Sequence, residues 1–532
     1  MSVATAQDRP DVPVAEPSER RRARLARVEW ALMAVLVVVP VVLIWRFASP
    51  SFFFGDDMYN LFQAHNSHFG LSYLFDSAVG HLSPGYRLAY VVIDRLFPMN
   101  FEVALAFLVA CQATSAVLLQ RILALVFGRV WWTYVLALAW AVSIVYLPAL
   151  EWFAAGILSI PAITATLASI HGYLCWRATG RRGWLLWSLV AMAIGLGFYA
   201  KVILVPLYLV LMRVLLLDPE VPLRDSLRSV RREWRVWAAY GAVCAVYLIV
   251  YELGPYERVR GGESLGTIVN YLRVLWVEGF WPMAFGVYVP TSHHSEGQQL
   301  AIVAVQVLLF DLVVWSIARR RSAWRAWAFL VIAMTANALL VINRVLFGPG
   351  VVGHHPRYFT ELAMLVPFAL AFAFAMPRLR ARTFPVGKRP SPPNDSELRL
   401  PSVRGGLAAA FALAVYLGAT LATTEAFSDP RSPPYFISSG RLARAYFDHM
   451  RADLAAARRT GQQPSLRNGD VPLYVETRFF NFVGAPTGVR YTALSSIVPV
   501  FDDRVTFDQP RWMYVVRPDG HLRRARSTGA GP

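Results

Sequence analysis

Two adjacent carboxylates, Asp56 and Asp57, stand in the stretch Phe52-Phe53-Phe54-Gly55-Asp56-Asp57-Met58-Tyr59, directly after the first long apolar run of the chain. Neighbouring acids raise one another's pKa, which brings one of them towards the range of a general base near neutral pH. The same pair offers oxygen ligands to a divalent cation, although adjacency alone does not define a metal site. Acids next to a membrane-embedded run are costly to keep and mark functional sites by default. The three phenylalanines and Tyr59 match the aromatic belt of a membrane-water interface. A competing reading is local: Asp56 after Gly55 is a helix N-cap, and Asp57 sits in the first turn, where the positive helix end favours an acid.

Cations that could meet an anionic substrate on the same side are few. Arg344 and Arg357 bracket a Gly/Pro loop ending in His354-His355-Pro356-Arg357-Tyr358, and a guanidinium suits bidentate phosphate contact. The alternative for Arg357 is a side chain snorkelling from a helix end. Lys201, in Gly195-Leu196-Gly197-Phe198-Tyr199-Ala200-Lys201-Val202, falls in a tight turn between two apolar runs, and its compact charge suits one phosphate oxygen or marks the bilayer edge. Arg87 lies one turn beyond Pro84. The pairs His354-His355 and His293-His294 point apart on any regular backbone, so both read as polar loops and the metal remains unassigned. Asp76 and Glu151 are further acids, with Glu151 read as structural. Asp502-Asp503 reads as a solvated turn.

The elements that must position these groups are membrane helices. A chain of 532 residues, 56% hydrophobic and 16% charged, is too apolar for a soluble globule. Its net charge of +18 is concentrated in short connectors between apolar runs, which points to membrane orientation and away from nucleic acid. Of 52 basic residues only Lys201 and Lys388 are lysine, a bias suggesting a GC-rich bacterial genome. Cys111, Cys175 and Cys244 all lie in apolar runs, with no disulfide framework or zinc spacing.

Residues 1–27 read as a disordered cytoplasmic tail, and the run from Val28 to Trp45 as an uncleaved anchor. Ten further apolar runs follow, near 100–126, 131–148, 157–176, 184–199, 201–217, 236–252, 298–318, 324–343, 359–376 and 405–424. Eleven spans with the N-terminus inside satisfy the positive-inside rule: Arg129, the Arg177 to Arg182 and Arg224 to Arg235 clusters, the Arg319 to Arg325 cluster and the Arg378 to Arg404 loop all fall on one side. The expected fold is therefore an all-α polytopic membrane protein with a transmembrane domain over 28–424. External loops fall at 49–99, 253–297 and 344–358, and a small α/β domain at 425–532 is also outside. Gly262 to Phe280 has the periodicity of a helix lying in the interface. In the tail, Leu442, Tyr446, Met450 and Leu454 line one helix face, Val471 to Phe479 and Arg511 to Arg517 are strand-like, and Pro518-Asp519-Gly520 is a turn.

An inside first terminus, a long external loop opening with an acidic pair, and His81-Leu82-Ser83-Pro84-Gly85-Tyr86 leading into the next apolar run resemble the polyprenyl-phosphate-sugar-dependent membrane glycosyltransferases of the GT-C fold. The protein O-mannosyltransferase and lipid A aminoarabinose transferase branch is nearest in style. The resemblance covers roughly residues 28–376; it departs in having Asp-Asp where that branch more often has Asp-Glu, and in the two residues separating His81 from Pro84. It implies Asp56 and Asp57 as the catalytic acids, His81 and Lys201 as substrate contacts, and inversion at the anomeric carbon; Arg87, Arg344, Arg357 and Tyr358 join the candidate substrate contacts as residues of the same outer side. A sugar on a polyprenyl phosphate is already activated, so the protein need supply only a base for the acceptor hydroxyl and cations for the departing phosphate. No cofactor is required by this scheme, and a divalent cation is the one candidate.

Three classes of function follow. The first is a transferase in the plasma membrane that moves sugar from the lipid carrier to an extracytoplasmic glycan, lipid or protein. The second is a transporter or flippase of lipid-linked sugars, which calls for charges in the middle of spans. The third is a non-catalytic, polymerase or ligase component of cell-envelope polysaccharide assembly. No nucleotide-sugar or nucleic-acid motif is present, and membrane lipid is the constant partner.

Overall fold

The computed structural model describes residues 19–76, 81–254, 256, 263–288, 295–342, 348–379, 399–428, 435–476, 493–508 and 512–526. Apolar runs of this length satisfy their backbone groups internally only as helices. Seven helices among the described residues are long and apolar enough to cross a membrane: Ala23–Ala48, Phe101–Phe127, Trp131–Glu151, Phe153–Thr179, Trp234–Leu253, Glu296–Arg319 and Arg404–Glu425.

The expectation of eleven is met only in part. The other four runs are helical but short or broken. Arg182–Phe198 has 17 residues and Trp324–Leu339 has 16, about 24 Å of α-helix against a hydrocarbon core of about 30 Å. Leu365–Phe374 has 10 residues behind the 3-10 segment Thr360–Met364. Residues 200–217 pass from a 3-10 turn, Ala200–Leu204, through α-helix, Val205–Leu211, to a π turn, Met212–Leu216. Such breaks redirect side chains, which a uniform helical reading of the sequence does not anticipate.

The connectors gather in two groups. In one, Ser51 Oγ donates to the Glu151 carbonyl, Lys201 Nζ to the Tyr358 carbonyl and Gly55 N–H to the Val475 carbonyl, each at 2.8 Å. In the other, Arg129 pairs with Glu29 at 3.3 Å, Arg378 N–H meets the Val126 carbonyl at 2.7 Å, and Arg177 pairs with Glu233. The 27-residue helix Phe101–Phe127 separates them by about 40 Å. Its first residue packs on Phe53, ring centroids 5.4 Å apart, and its last on Phe372 at 4.9 Å.

The C-terminal domain docks on the first group. Its helix, Tyr435–Arg459, buries Tyr446, Met450 and Leu454 as expected. Leu442 is exposed, because this end of the helix turns Arg441 and Arg444 onto the carbonyls of Phe47, Ser49 and Ser51. The four-stranded sheet runs β2-β1-β3-β4, with β1 Ser465–Leu466, β2 Thr506–Phe507, β3 Trp512–Val516 and β4 Leu522–Arg526; only β3 and β4 pair antiparallel. Pro518-Asp519-Gly520 is the turn between them. Gly520 has φ 89°, and a Cβ there would stand 2.1 Å from the Tyr446 carbonyl oxygen, so glycine is required twice over. The strand expected at Val471 to Phe479 does not form among its described residues: the Pro472 carbonyl accepts the N–H groups of Val475 and Glu476 and closes a turn. Asp502 is no solvated acid either, since Arg458 holds it at 2.7 Å.

The expected interfacial helix is α-helical over Leu265–Arg273 and π over Val274–Phe280. Leu265 and Val269 are exposed, while Tyr271, Val274, Leu275 and Phe280 are buried, so the face changes where the helix widens.

Candidate active site

Gly55 takes φ 58° and ψ −125° ahead of the helix Asp56–Asn66. It is the cap residue, and no side chain caps this helix end, so the N-cap reading of Asp56 is overturned: Asp56 is the first helical residue. That backbone suits glycine and strains other residues. It also turns the two acids apart. Asp57 is fully buried; its Oδ1 accepts the Tyr90 hydroxyl at 2.6 Å and its Oδ2 accepts the Phe54 N–H at 3.2 Å. Burial pushes its pKa up to about 8, against the lowering effect of the two hydrogen bonds and with a further rise from the Asp56 charge. Asp56 stays partly exposed.

The phenylalanines before the pair form no lipid-facing belt. Phe52, Phe53 and Phe54 are all buried, Phe52 under the C-terminal helix and the other two against rings of the helical bundle. Phe52 packs on Phe447, Phe53 edge-on against Phe101 and Phe153, and Phe54 stacks on Trp152 at 5.7 Å.

Trp152 joins the acids to the Arg357 loop. The Arg357 guanidinium lies 5.0 Å from the Trp152 ring and 4.7 Å from the Tyr358 ring, and donates to the Tyr358 hydroxyl at 2.6 Å. Burial opposes its charge, but Tyr358 and Asp56 together hold its pKa above the ordinary arginine value. The Asp56 charge thus acts on Arg357, although the two residues are far apart in sequence. Arg357 is half-buried, with its guanidinium beside the Trp152 and Tyr358 rings. His355 packs on Trp152 and Tyr358, and burial beside Arg357 drives its pKa well below the usual value, so it is neutral. His354 points elsewhere, to the Gly350 carbonyl at 2.7 Å and Glu278 at 3.4 Å. The two histidines diverge, as adjacent residues should.

Lys201 is 4% exposed, which removes the snorkelling alternative. Its ammonium bonds Glu361 and the Tyr358 carbonyl, each at 2.8 Å, so it fastens the turn that presents Arg357. Arg87 belongs to a neighbouring cluster: it meets Asp76 at 3.4 Å and lies over Tyr73 at 4.8 Å. His81 is half-buried just ahead of the helix Pro84–Leu96, whose Tyr90 reaches Asp57. Glu151 is buried under Ser51, whose hydroxyl takes its carbonyl. Arg344, His293 and His294 lie outside the described residues.

Among the described residues no three His, Cys, Asp or Glu side chains are arranged to hold a metal ion, so the acid pair has no further side-chain ligand of these types there. An apolar groove of about 420 Å³ lies at the start of the helix that carries Tyr90, lined by Leu82, Pro84, Leu196, Gly197, Val243 and Tyr247 among others. Sequence reading missed Tyr90, Trp152 and Glu361. Only Trp152, next to a noted acid, carried a signal.

No protein-family model matches the chain, and comparison with curated proteins finds no match.

Proposed function

We propose that this protein is an integral membrane glycosyltransferase of the GT-C kind, taking a sugar from a polyprenyl-phosphate carrier. The observation that carries the reading is that Trp152 packs both on Phe54, two residues before Asp56, and on Arg357, which brings a partly exposed acid and a caged cation together on one side of a helical membrane bundle. The acceptor oxygen attacks the anomeric carbon as the bond from that carbon to the phosphate oxygen breaks. The acceptor proton passes to a carboxylate, and the bonding electrons leave with the phosphate. Asp57 has both oxygens engaged and is fully buried, so the base is Asp56, and Asp57 sets its position. Arg357 receives the phosphate charge. The apolar groove beside Pro84 and Gly197 takes the prenyl chain.

The basic connectors put this side outside the plasma membrane, with eleven helical crossings, the N-terminus cytoplasmic and the C-terminal domain extracytoplasmic. The acceptor is then an extracytoplasmic glycan, lipid or protein.

One observation favours a second reading, a transporter of lipid-linked sugars: Lys201 and Glu361 form an ion pair buried inside the helical bundle, where transporters keep coupling charges. The test separates the two. Purified protein is incubated with radiolabelled polyprenyl-phosphate sugars and cell-envelope extract; label entering an acceptor fraction supports the transferase. Label that crosses proteoliposome membranes without entering any acceptor overturns it in favour of transport.

A further inference from the structure

Beneath the turn that carries Arg357 lies a small cavity of about 10 Å³, with Thr166, Lys201, Tyr208, Asn337 and Glu361 on its polar side and Ala162, Ile163, Val202 and Met364 on its apolar side. A water needs roughly 10–15 Å³ of such space and two to four polar partners. The bonding around it is incomplete in a specific way. An ammonium carries three N–H donors, and Lys201 directs two of them to the Tyr358 carbonyl and Glu361 Oε2. Glu361 Oε1 is buried without a partner. Asn337 gives its Nδ2 hydrogen to the Tyr208 hydroxyl at 3.3 Å, while its Oδ1 is buried without a partner. Asn337 is 1% exposed and Glu361 4%, so bulk water reaches neither.

Two buried acceptors without a partner, Glu361 Oε1 and Asn337 Oδ1, and the third Lys201 hydrogen thus remain around a cavity of one water's size, beside the second Asn337 Nδ2 hydrogen and the hydroxyls of Thr166 and Tyr208. We infer that this cavity is a binding site for a single water molecule, which accepts the third Lys201 hydrogen and donates its own two to Glu361 Oε1 and Asn337 Oδ1. The water then satisfies both unpartnered oxygens and the third ammonium hydrogen. A metal cation does not suit the place: it would face the Lys201 ammonium, and two free oxygens fall well short of the six or so that a hard cation takes. A proton shared directly between Glu361 Oε1 and Asn337 Oδ1 would satisfy both oxygens, but it would neutralise Glu361 beside Lys201 and leave the third ammonium hydrogen unused.

The water closes a node joining three elements: the 3-10 turn Ala200–Leu204, the helix Trp324–Leu339 and the 3-10 segment Thr360–Met364. Because Lys201 also holds the Tyr358 carbonyl, the node fixes the backbone next to Arg357. None of this depends on which reaction the protein performs.

The test is a cryo-electron microscopy map of the full-length protein in lipid nanodiscs, at a resolution that shows other buried waters, with Asn337→Leu as a second sample. The expected result for the wild type is one density peak within hydrogen-bond distance of Lys201 Nζ, Glu361 Oε1 and Asn337 Oδ1. In Asn337→Leu the peak is expected to be lost while the Lys201–Glu361 pair remains. A wild-type map with no peak there, with a peak ringed by five or more close oxygens, or with Glu361 Oε1 in direct contact with Asn337 Oδ1 overturns the inference. The wild-type map decides the matter even if the variant does not fold.

Discussion

Tyr90 donates its hydroxyl to Asp57 Oδ1 at 2.6 Å, from a helix that begins with the Pro84-Gly85 sequence and lies 33 residues further along the chain. With the Phe54 N–H on the other oxygen, this bond fixes Asp57 below the surface and leaves Asp56 at the opening. Two acids adjacent in sequence thereby acquire different environments, the usual way for one of a pair to be spared for chemistry.

The first prediction follows from the proton on Asp57. Its folded pKa, about 8, is far above the ordinary 3.8, so the folded state holds a proton that the unfolded chain releases. The stability from this group is complete below about pH 4 and is lost as pH rises towards about 8, amounting to a few kcal/mol. Asp57→Asn cannot ionise and should not show this loss. Thermal unfolding in detergent between about pH 4 and 8 checks it; an equal decline in wild type and variant would falsify the assignment.

Asp56 carries the second. Asp56→Asn keeps shape and loses basicity, so transfer should fall about 100- to 10,000-fold while unfolding temperature and polyprenyl-phosphate binding hardly change. Activity near the wild-type level in this variant removes Asp56 from the chemistry.

Much of this arrangement was open to sequence reading, and the limits have physical causes. The acid pair and the apolar runs are local patterns, and both are where periodicity and composition placed them. The role of Lys201 was not legible, because its partner Glu361 lies 160 residues away and a lone lysine between apolar runs reads equally as a snorkel or a phosphate ligand. The aromatic stretch Phe52 to Phe54 misled for a similar reason: an interfacial belt and a buried seam under a docked domain use the same residues, and Phe447 decides between them. Of the eleven expected spans seven are long, regular helices among the described residues; the other four are short or interrupted by 3-10 and π turns, which hydropathy does not report.

Lys201 supplies the third prediction. Removing one member of a buried pair strands the other charge, so Lys201→Met should cost roughly 3–5 kcal/mol of stability. The double variant Lys201→Met/Glu361→Met should recover a large part of it, because no charge is left unpaired. A double variant as unstable as the sum of the two singles would mean that the pair is not coupled.

Orientation gives the fourth. Ser226, in the basic segment assigned to the cytoplasm, is buried and a poor reporter, whereas Arg228 and His68 are exposed. His68→Cys should react with an impermeant thiol reagent on intact cells and Arg228→Cys should react only after permeabilisation. The reverse pattern would turn the whole bundle over and place the acids inside.

Arg357 provides the fifth. Its guanidinium lies 5.0 Å from the Trp152 ring and 4.7 Å from the Tyr358 ring and donates to the Tyr358 hydroxyl, contacts that suit a planar, delocalised cation. Lysine at this position keeps the charge and loses both the stacking and the forked donors, so Arg357→Lys should bind a polyprenyl phosphate about tenfold or more weakly, and Arg357→Ala more weakly still. Trp152→Leu removes one wall of the cage without touching the charge and should fall between wild type and Arg357→Lys. Binding is best measured directly, with the carrier phosphate alone, so that the result does not depend on finding the acceptor. Wild-type affinity in both Arg357 variants would show that the guanidinium braces the loop and meets no phosphate.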